Sequence, residues 1–348
     1  MVHNAPSISP CEHSSGQYMK AVTNLPSPNS KLSYHSLLVG LAHGQGSLLS
    51  SGFYGTSCPS VKRVVANAVA ARLREDPSIA GPLLRMFFHD CFVFGCDASV
   101  LIKSTPSNSA ERDAGPNQTI RELGLIDTIK VQLEAVCPGV VSCADIVALA
   151  AKEAVVQSGG PDWEVEVGRR DGSNSTAAEA STNLPSSLLN VPSLIQFFAS
   201  KGLSIRDLVT LSGAHSIGNA HCFQAARRIY GFKSPSGIDP TMNISYAQVL
   251  KKTCPLPIVE RSRVPLDPST PALFDNKYYQ DLLQNRGLFT SDSSLVADSR
   301  TSSIVVEYAK DEQSFFTNFV RSMLNMGRIG VLTGGKGEIR RHCSSINH

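Results

Sequence analysis

Eight cysteines, Cys58, Cys91, Cys96, Cys137, Cys143, Cys222, Cys254 and Cys343, span the body of this 348-residue chain, and their even number is the tightest constraint on what it becomes. An even count spread through the body reads as four disulfides formed in an oxidising compartment, although eight cysteines permit roughly a hundred connectivities. The alternative, cytosolic thiols kept reduced or bound to metal, favours a C-x-x-C pair or a C-x-x-C-H haem attachment, and the chain has neither. The ninth cysteine, Cys11, lies outside the body. A hydrophobic content of 42% suffices for a full core. The net charge of +3 is scattered and forms no basic run, so the electrostatic footprint of a nucleic-acid binder is missing and a small soluble ligand is expected. No stretch reaches the roughly 20 apolar residues of a membrane span.

Residues 1–50, rich in Ser, Asn, Pro and His, read as a leader separate from a domain over 51–348. The apolar run from Ser36 to Ala42 follows Lys31 and has the form of the tail of a displaced signal region; a plain loop is the alternative. Folding is expected to begin near Gly52. Apolar residues then recur at three and four over 61–73, 82–92, 126–136, 144–156, 191–198, 205–211, 276–283 and 303–326, which predicts helices. Ser204 with Asp207 has the form of a capping pair, and Gly159, Gly160 and Pro161 end a helix. Only Trp163 to Val167 alternates like a strand, while 172–187 and 233–241 read as Ser/Pro/Gly loops. The expected architecture is mainly α, with two helical lobes around one cleft.

The densest chemistry lies between Leu84 and Asp97 (LRMFFHDCFVFGCD). Arg85 and His89 are four apart on an expected helix and share a face, with Phe88 and Phe92 expected as apolar surroundings. A base beside a fixed cation suits a reaction that moves a proton while negative charge builds on a neighbouring oxygen. Taken alone, the same pair fits a surface ion pair and a polar core histidine.

That segment resembles the distal motif of the secreted plant-type (class III) haem peroxidases, R-x-x-F-H-D-C-F-V-x-G-C-D. Further blocks match in order: Phe53 to Pro59, Cys137 to Asp145, Gly159 to Trp163, Gly168 to Asp171, Leu211 to Gly218 and Phe274 to Tyr279. The similarity covers about residues 52–346. It implies a two-lobed fold with haem b between distal and proximal lobes, and an enzyme that reduces hydrogen peroxide while oxidising small phenolic donors in two one-electron steps. His89 would take a proton from peroxide and return it to the departing oxygen, with Arg85 stabilising charge as the O–O bond breaks. Asn117 would hold the far nitrogen of His89, and Glu111 would extend that network. His215 would hold the iron, polarised by Asp292, since a histidine that donates to a carboxylate is a stronger electron donor. Pro185 would meet aromatic donors.

The resemblance also implies two calcium ions, hard cations wanting six to eight oxygens. One would lie among Asp90, Val93, Gly95, Asp97 and Ser99, the other among Ser216, Asp267, Thr270, Leu273 and Asp275. The implied disulfides are Cys58 with Cys137, Cys91 with Cys96, Cys143 with Cys343 and Cys222 with Cys254. A monomer is expected, secreted to the extracellular space or cell wall rather than the vacuole, with no nucleic-acid or membrane partner. Of the sequons at Asn117, Asn174 and Asn243, the last two sit in loop-like surroundings suited to glycosylation, while Asn117 is needed bare. His221 and His342 read as surface histidines. Phe94 and the Arg121 to Gly124 stretch depart from the family pattern, which leaves donor choice open. Two rivals are a haem- and calcium-containing wall protein that binds polysaccharide, and a cytosolic zinc protein using Cys91 and Cys96.

Overall fold

Periodicity becomes helix wherever one apolar face finds a partner, beginning with α1 (Val61–Glu75), which buries Val61, Val65 and Val69 one turn apart. Each such side chain contributes about 1.5–3 kcal/mol on full burial. Asp76 ends α1 and its side chain accepts the Ser78 N–H, which starts the short turn into α2 (Ala80–Phe92). α3 (Leu123–Val136) and α4 (Cys143–Gln157) follow, α4 capped by Ser142. These four pack together, α2 and α1 both against α4. This computed structural model describes residues 49–347.

The second group begins with α5 (Ala177–Asn183), α6 (Val191–Ser200) and α7 (Ile205–Ser212). Ser204 and Asp207 form the expected capping box on α7. After α7 come β1 (Asn219–His221), α8 (Cys222–Ile229), α9 (Ile244–Thr253) and β2 (Arg263–Pro265), with the two strands antiparallel. α10 (Lys277–Leu283), α11 (Thr290–Ala297), α12 (Ser299–Lys310) and α13 (Glu312–Met326) complete the described helices. α7 packs on α12 and α13, and α10 on α12, while α8, α9 and the strands surround a smaller core that includes Ile229, Leu250 and Val264.

Three expectations are corrected. The 172–187 segment is not all loop, because Thr176 caps a run of Ala and Glu that forms α5. The 303–326 period is two helices: Asp311 is extended and its carboxylate takes the Ser314 N–H as the cap of α13. Trp163 to Val167 forms no strand. Val165 and Val167 are buried in alternation as expected, but only Val167 finds a pairing partner, the Ser50 backbone, at 3.0 and 3.1 Å.

That pairing places Leu49 and Ser50 within the folded part, ahead of Gly52. The rest of the leader, with Cys11, His3, His13, His35 and His43, lies outside the described residues. The four implied disulfides are present. Joining Cys91 to Cys96 leaves no thiolate there for zinc. Among the described residues no helix is long and apolar enough to cross a membrane.

Candidate active site

Two backbone approaches bring the chemistry together. The start of α2 packs so tightly on the segment after His215 that a Cβ on Gly81 would sit 2.7 Å from the Gly218 Cα. Gly218 has φ +97, a left-handed conformation that only glycine adopts easily. His89 on α2 and His215, in the 3-10 turn Gly213–Ser216 after α7, therefore both line a single cavity of about 490 Å³. Arg85, Phe88, Leu211, Ala214, Phe289 and Pro185 also line it, and that volume suits a cofactor or small ligand. Phe92 does not: it is fully buried against Phe198, 5.1 Å between ring centres.

On the α2 wall, the Asn117 amide donates through Nδ2 to the Glu111 carbonyl at 2.8 Å. Its Oδ1 is thereby turned to His89 Nδ1, 2.5 Å away. Oδ1 only accepts, so Nδ1 carries the hydrogen and Nε2 keeps its lone pair. Burial, then the neighbouring Arg85 charge, holds the His89 pKa well below the ordinary histidine value against the opposing Asn117 hydrogen bond. The imidazole is a neutral, correctly tautomerised base. Arg85 opens onto the same cavity, with Nη2 donating to the Pro116 carbonyl at 2.8 Å. Burial lowers its pKa to about 10, which leaves it cationic at neutral pH.

The Glu111 contribution to this network is its backbone, not its side chain. Both carboxylate oxygens lack a partner, and burial, followed by Asp90, lifts the carboxyl to about 9.

On the opposite wall, His215 Nδ1 lies 2.8 Å from Asp292 Oδ1. Asp292, in the first turn of α11, also accepts the Phe289 N–H into Oδ2 at 2.8 Å and the Tyr278 hydroxyl into Oδ1 at 2.9 Å. Burial opposes ionisation of this carboxyl, yet His215 and the other donors outweigh it and hold the pKa below its ordinary value. Tyr278 and Phe289 flank the His215 ring edge-on at 5.9 and 5.5 Å.

Beside each histidine is a knot of oxygens. Next to His89, Asp90 Oδ1 and Ser99 Oγ are buried with no partner, and burial, then Asp97, pushes the Asp90 carboxyl well up. Burial pushes Asp97 up as well. The Gly95 carbonyl takes the Asp97 N–H at 2.8 Å, while the Val93 carbonyl takes Lys201 Nζ at 3.3 Å. Next to His215, Ser216 Oγ donates to the carbonyls of Leu273 and Asp275 at 3.1 and 3.0 Å. Thr270 Oγ1 is 3.1 Å from Asp275 Oδ1 and 3.4 Å from Asp267 Oδ2, and burial lifts Asp267 to about 6. Among the described residues no three His, Cys, Asp or Glu side chains cluster as a metal site, so either knot would depend on hydroxyl and carbonyl oxygens.

Sequence reasoning missed Arg340, which is wholly buried and whose Nη2 donates to the Ala98 carbonyl at 2.7 Å. Its charge works to keep Asp90 and Asp97 ionised, and no motif marks it. It missed Tyr278 too, although that residue stands inside a matched block. His221 is not a plain surface histidine: it is half-buried and lines the cavity, with Nδ1 donating to the Glu260 carbonyl at 2.9 Å. His342 is exposed, as expected. Asn174 is exposed, while Asn243 is exposed but caps α9 rather than sitting in a loop.

The peroxidase family matches residues 65–311. Peroxidase 3 of Arabidopsis thaliana is 48% identical over 318 residues, 91% of this chain and 97% of its own. Peroxidase 5 of Vitis vinifera is 48% identical over 301 residues, 86% and 92% of the two chains. Peroxidase 55 of Arabidopsis thaliana is 45% identical over 313 residues, 89% and 94%. Helical fold, paired cavity histidines and these relatives together define an oxidoreductase that works on peroxide. The chain belongs to the plant-type (class III) haem peroxidase family, with haem as cofactor and hydrogen peroxide and donor molecules as substrates.

Proposed function

We propose that the protein oxidises small phenolic donors with hydrogen peroxide in two successive one-electron steps, with haem b in the cavity between Arg85 and His89 on one side and His215 on the other. The observation that carries this reading is the Asn117 amide, which leaves a neutral base at His89 Nε2 facing the cavity that His215 lines. When bound, haem supplies two oxidising equivalents drawn from peroxide and passes them on singly. His89 Nε2 takes the first peroxide proton and returns it to the leaving oxygen, while the Arg85 guanidinium stabilises the charge that develops as the O–O bond breaks. His215 offers Nε2 as the iron ligand, and Asp292, holding the Nδ1 hydrogen, makes it a stronger donor. All eight body cysteines are in disulfides, leaving no thiol among the described residues for covalent haem attachment, which supports haem b. Pro185 on the cavity wall is the proposed contact for aromatic donors.

The test is a haem-loaded preparation with a Soret band, given peroxide and a simple methoxyphenol. Two phenols consumed per peroxide is the expected stoichiometry. One phenol per peroxide, or no peroxide-dependent turnover, overturns the reading.

The proposal extends to two calcium ions. The partnerless oxygens of Asp90 and Ser99, with Asp97 and the Val93 and Gly95 carbonyls, would hold one. The crowded oxygens of Ser216, Asp267, Thr270, Leu273 and Asp275 would hold the other. Ions bound only by the folded state stabilise it by about 2.7 kcal/mol each when free calcium is ~100-fold above the dissociation constant. Metal analysis is expected to find two calcium ions, and a chelator to lower the melting temperature and alter the haem spectrum. Unchanged melting with full activity in a calcium-free preparation counts against these sites. Four disulfides support an oxidising destination, and the proposal includes a secreted monomer whose leader lies ahead of Leu49.

A further inference from the structure

Asp292 serves more than one donor, and the two that share Oδ1 compete. His215 Nδ1 approaches that oxygen at 2.8 Å and the Tyr278 hydroxyl at 2.9 Å. A carboxylate has no hydrogen to give when ionised, so the phenol must be the donor. Every hydrogen bond an oxygen accepts draws off charge that it would otherwise offer to the next donor. We propose that Tyr278 is a positioning residue that sets how strongly Asp292 polarises His215, limiting through its hydroxyl the electron density that reaches the iron. This rests on His215 being the iron ligand.

The architecture supports a separate role for ring and hydroxyl. Tyr278 stands on α10, His215 in the turn after α7 and Asp292 on α11, so three elements converge on one carboxylate oxygen. The Tyr278 ring packs edge-on against the imidazole and is 2% exposed, which fixes the ring plane regardless of the hydroxyl. Its hydroxyl makes no hydrogen bond besides the one to Asp292 among those the described residues show. Burial, then Asp292, drives its pKa well above the ordinary tyrosine value, so the hydrogen stays in place. Tyr278→Phe removes the hydroxyl and keeps the ring. Asp292 Oδ1 then answers only to His215, and the imidazole gains anionic character.

The experiment uses the haem-loaded full chain, the Tyr278→Phe, Asp292→Asn and doubly substituted variants, and Tyr278 replaced by 3-fluorotyrosine, whose more acidic phenol is the stronger donor. Ferric/ferrous midpoint potential and the ferrous iron–histidine stretching band are measured. Tyr278→Phe is expected to lower the potential and raise the stretching frequency, the opposite of Asp292→Asn. Fluorotyrosine is expected to raise the potential, and it decides the matter if the Phe variant fails to load haem. In the Asp292→Asn background, loss of the hydroxyl is expected to produce less than half of its shift in the parent. An unmoved potential, a shift of the opposite sign, or a full shift in the Asn background overturns the role of Tyr278 while the iron–histidine band stands. Absence of that band in the parent overturns it together with the His215 assignment.

Discussion

Replacing His89 by alanine is expected to slow the reaction with peroxide by roughly 10²- to 10⁴-fold while haem remains bound, the range that a positioned acid–base group supplies. Arg85→Ala is expected to slow it by roughly 10²- to 10³-fold, since an electrostatic donor aimed at developing charge is lost. Neither residue carries the core: both line the cavity, and α2 is anchored from its other face by Leu83, Met86 and Phe87. The pH profile adds a sharper test. Burial, then Arg85, depresses the His89 pKa well below 6.5, so the base is still neutral when pH falls through that value. The parent rate is therefore expected to hold steady from neutral pH down through 6.5 and to fall only in more acidic solution, as the imidazole takes a proton and ceases to accept one. In His89→Ala that acid limb should vanish. Rapid mixing with peroxide measures both, and unchanged rates in the two alanine variants would sink the assignment.

The His215 wall should fail in two distinguishable ways. His215→Ala is expected to abolish stable haem incorporation or leave a readily lost cofactor, because among the described residues no other histidine on that wall has a carboxylate at its Nδ1. Asp292→Asn should retain haem but raise the reduction potential, because a neutral amide polarises the imidazole less than a carboxylate. The carboxylate it replaces is held below its ordinary pKa by His215 and two further donors, despite full burial. Haem titration and a spectroelectrochemical midpoint separate the outcomes. Five-coordinate histidine-ligated haem surviving in His215→Ala, or a midpoint that ignores Asp292→Asn, would place the iron elsewhere.

Arg85 and His89 were legible because helical spacing is a local rule: four residues make one turn, and the face follows. Ser204 and Asp207 were legible for the same reason. The partner of His215 lies 77 residues away, and only tertiary folding brings α11 to the turn after α7. Without the family resemblance, Asp292 was one acid among many. Tyr278 and Arg340 escaped because their work is done by atoms that meet in space. The helices overlooked, α5, α8, α9 and α11, run seven to ten residues, the same span as the recognised α6, α7 and α10; α5 buries only Ala180, and α11 only Asp292 and Leu295, so neither carries an apolar period to read. Over 303–326 the opposite error arose, since Ile304, Val305 and Tyr308 continue in step with Phe315 and Phe319 across the Asp311 break. Several matched blocks turn out to hold the fold rather than the chemistry: Asp145 takes hydrogen bonds from Tyr54 at 2.7 Å and from Arg169 at 2.8 Å, all three buried.

The loop after α2 is held by residues synthesised more than two hundred positions later. The Cys96 N–H donates to the Ile329 carbonyl at 2.9 Å, and a Cβ on Gly95 would sit 2.5 Å from the Gly330 carbonyl. Arg340 clasps the Ala98 carbonyl, and Cys343 is bonded to Cys143. During translation the half that carries Arg85 and His89 is therefore made early but finished late. A nascent chain arrested before residue 329 would carry Arg85 and His89 without the strap that seats their loop. The early and late segments of the domain must therefore close on each other before the loop beside His89 is seated.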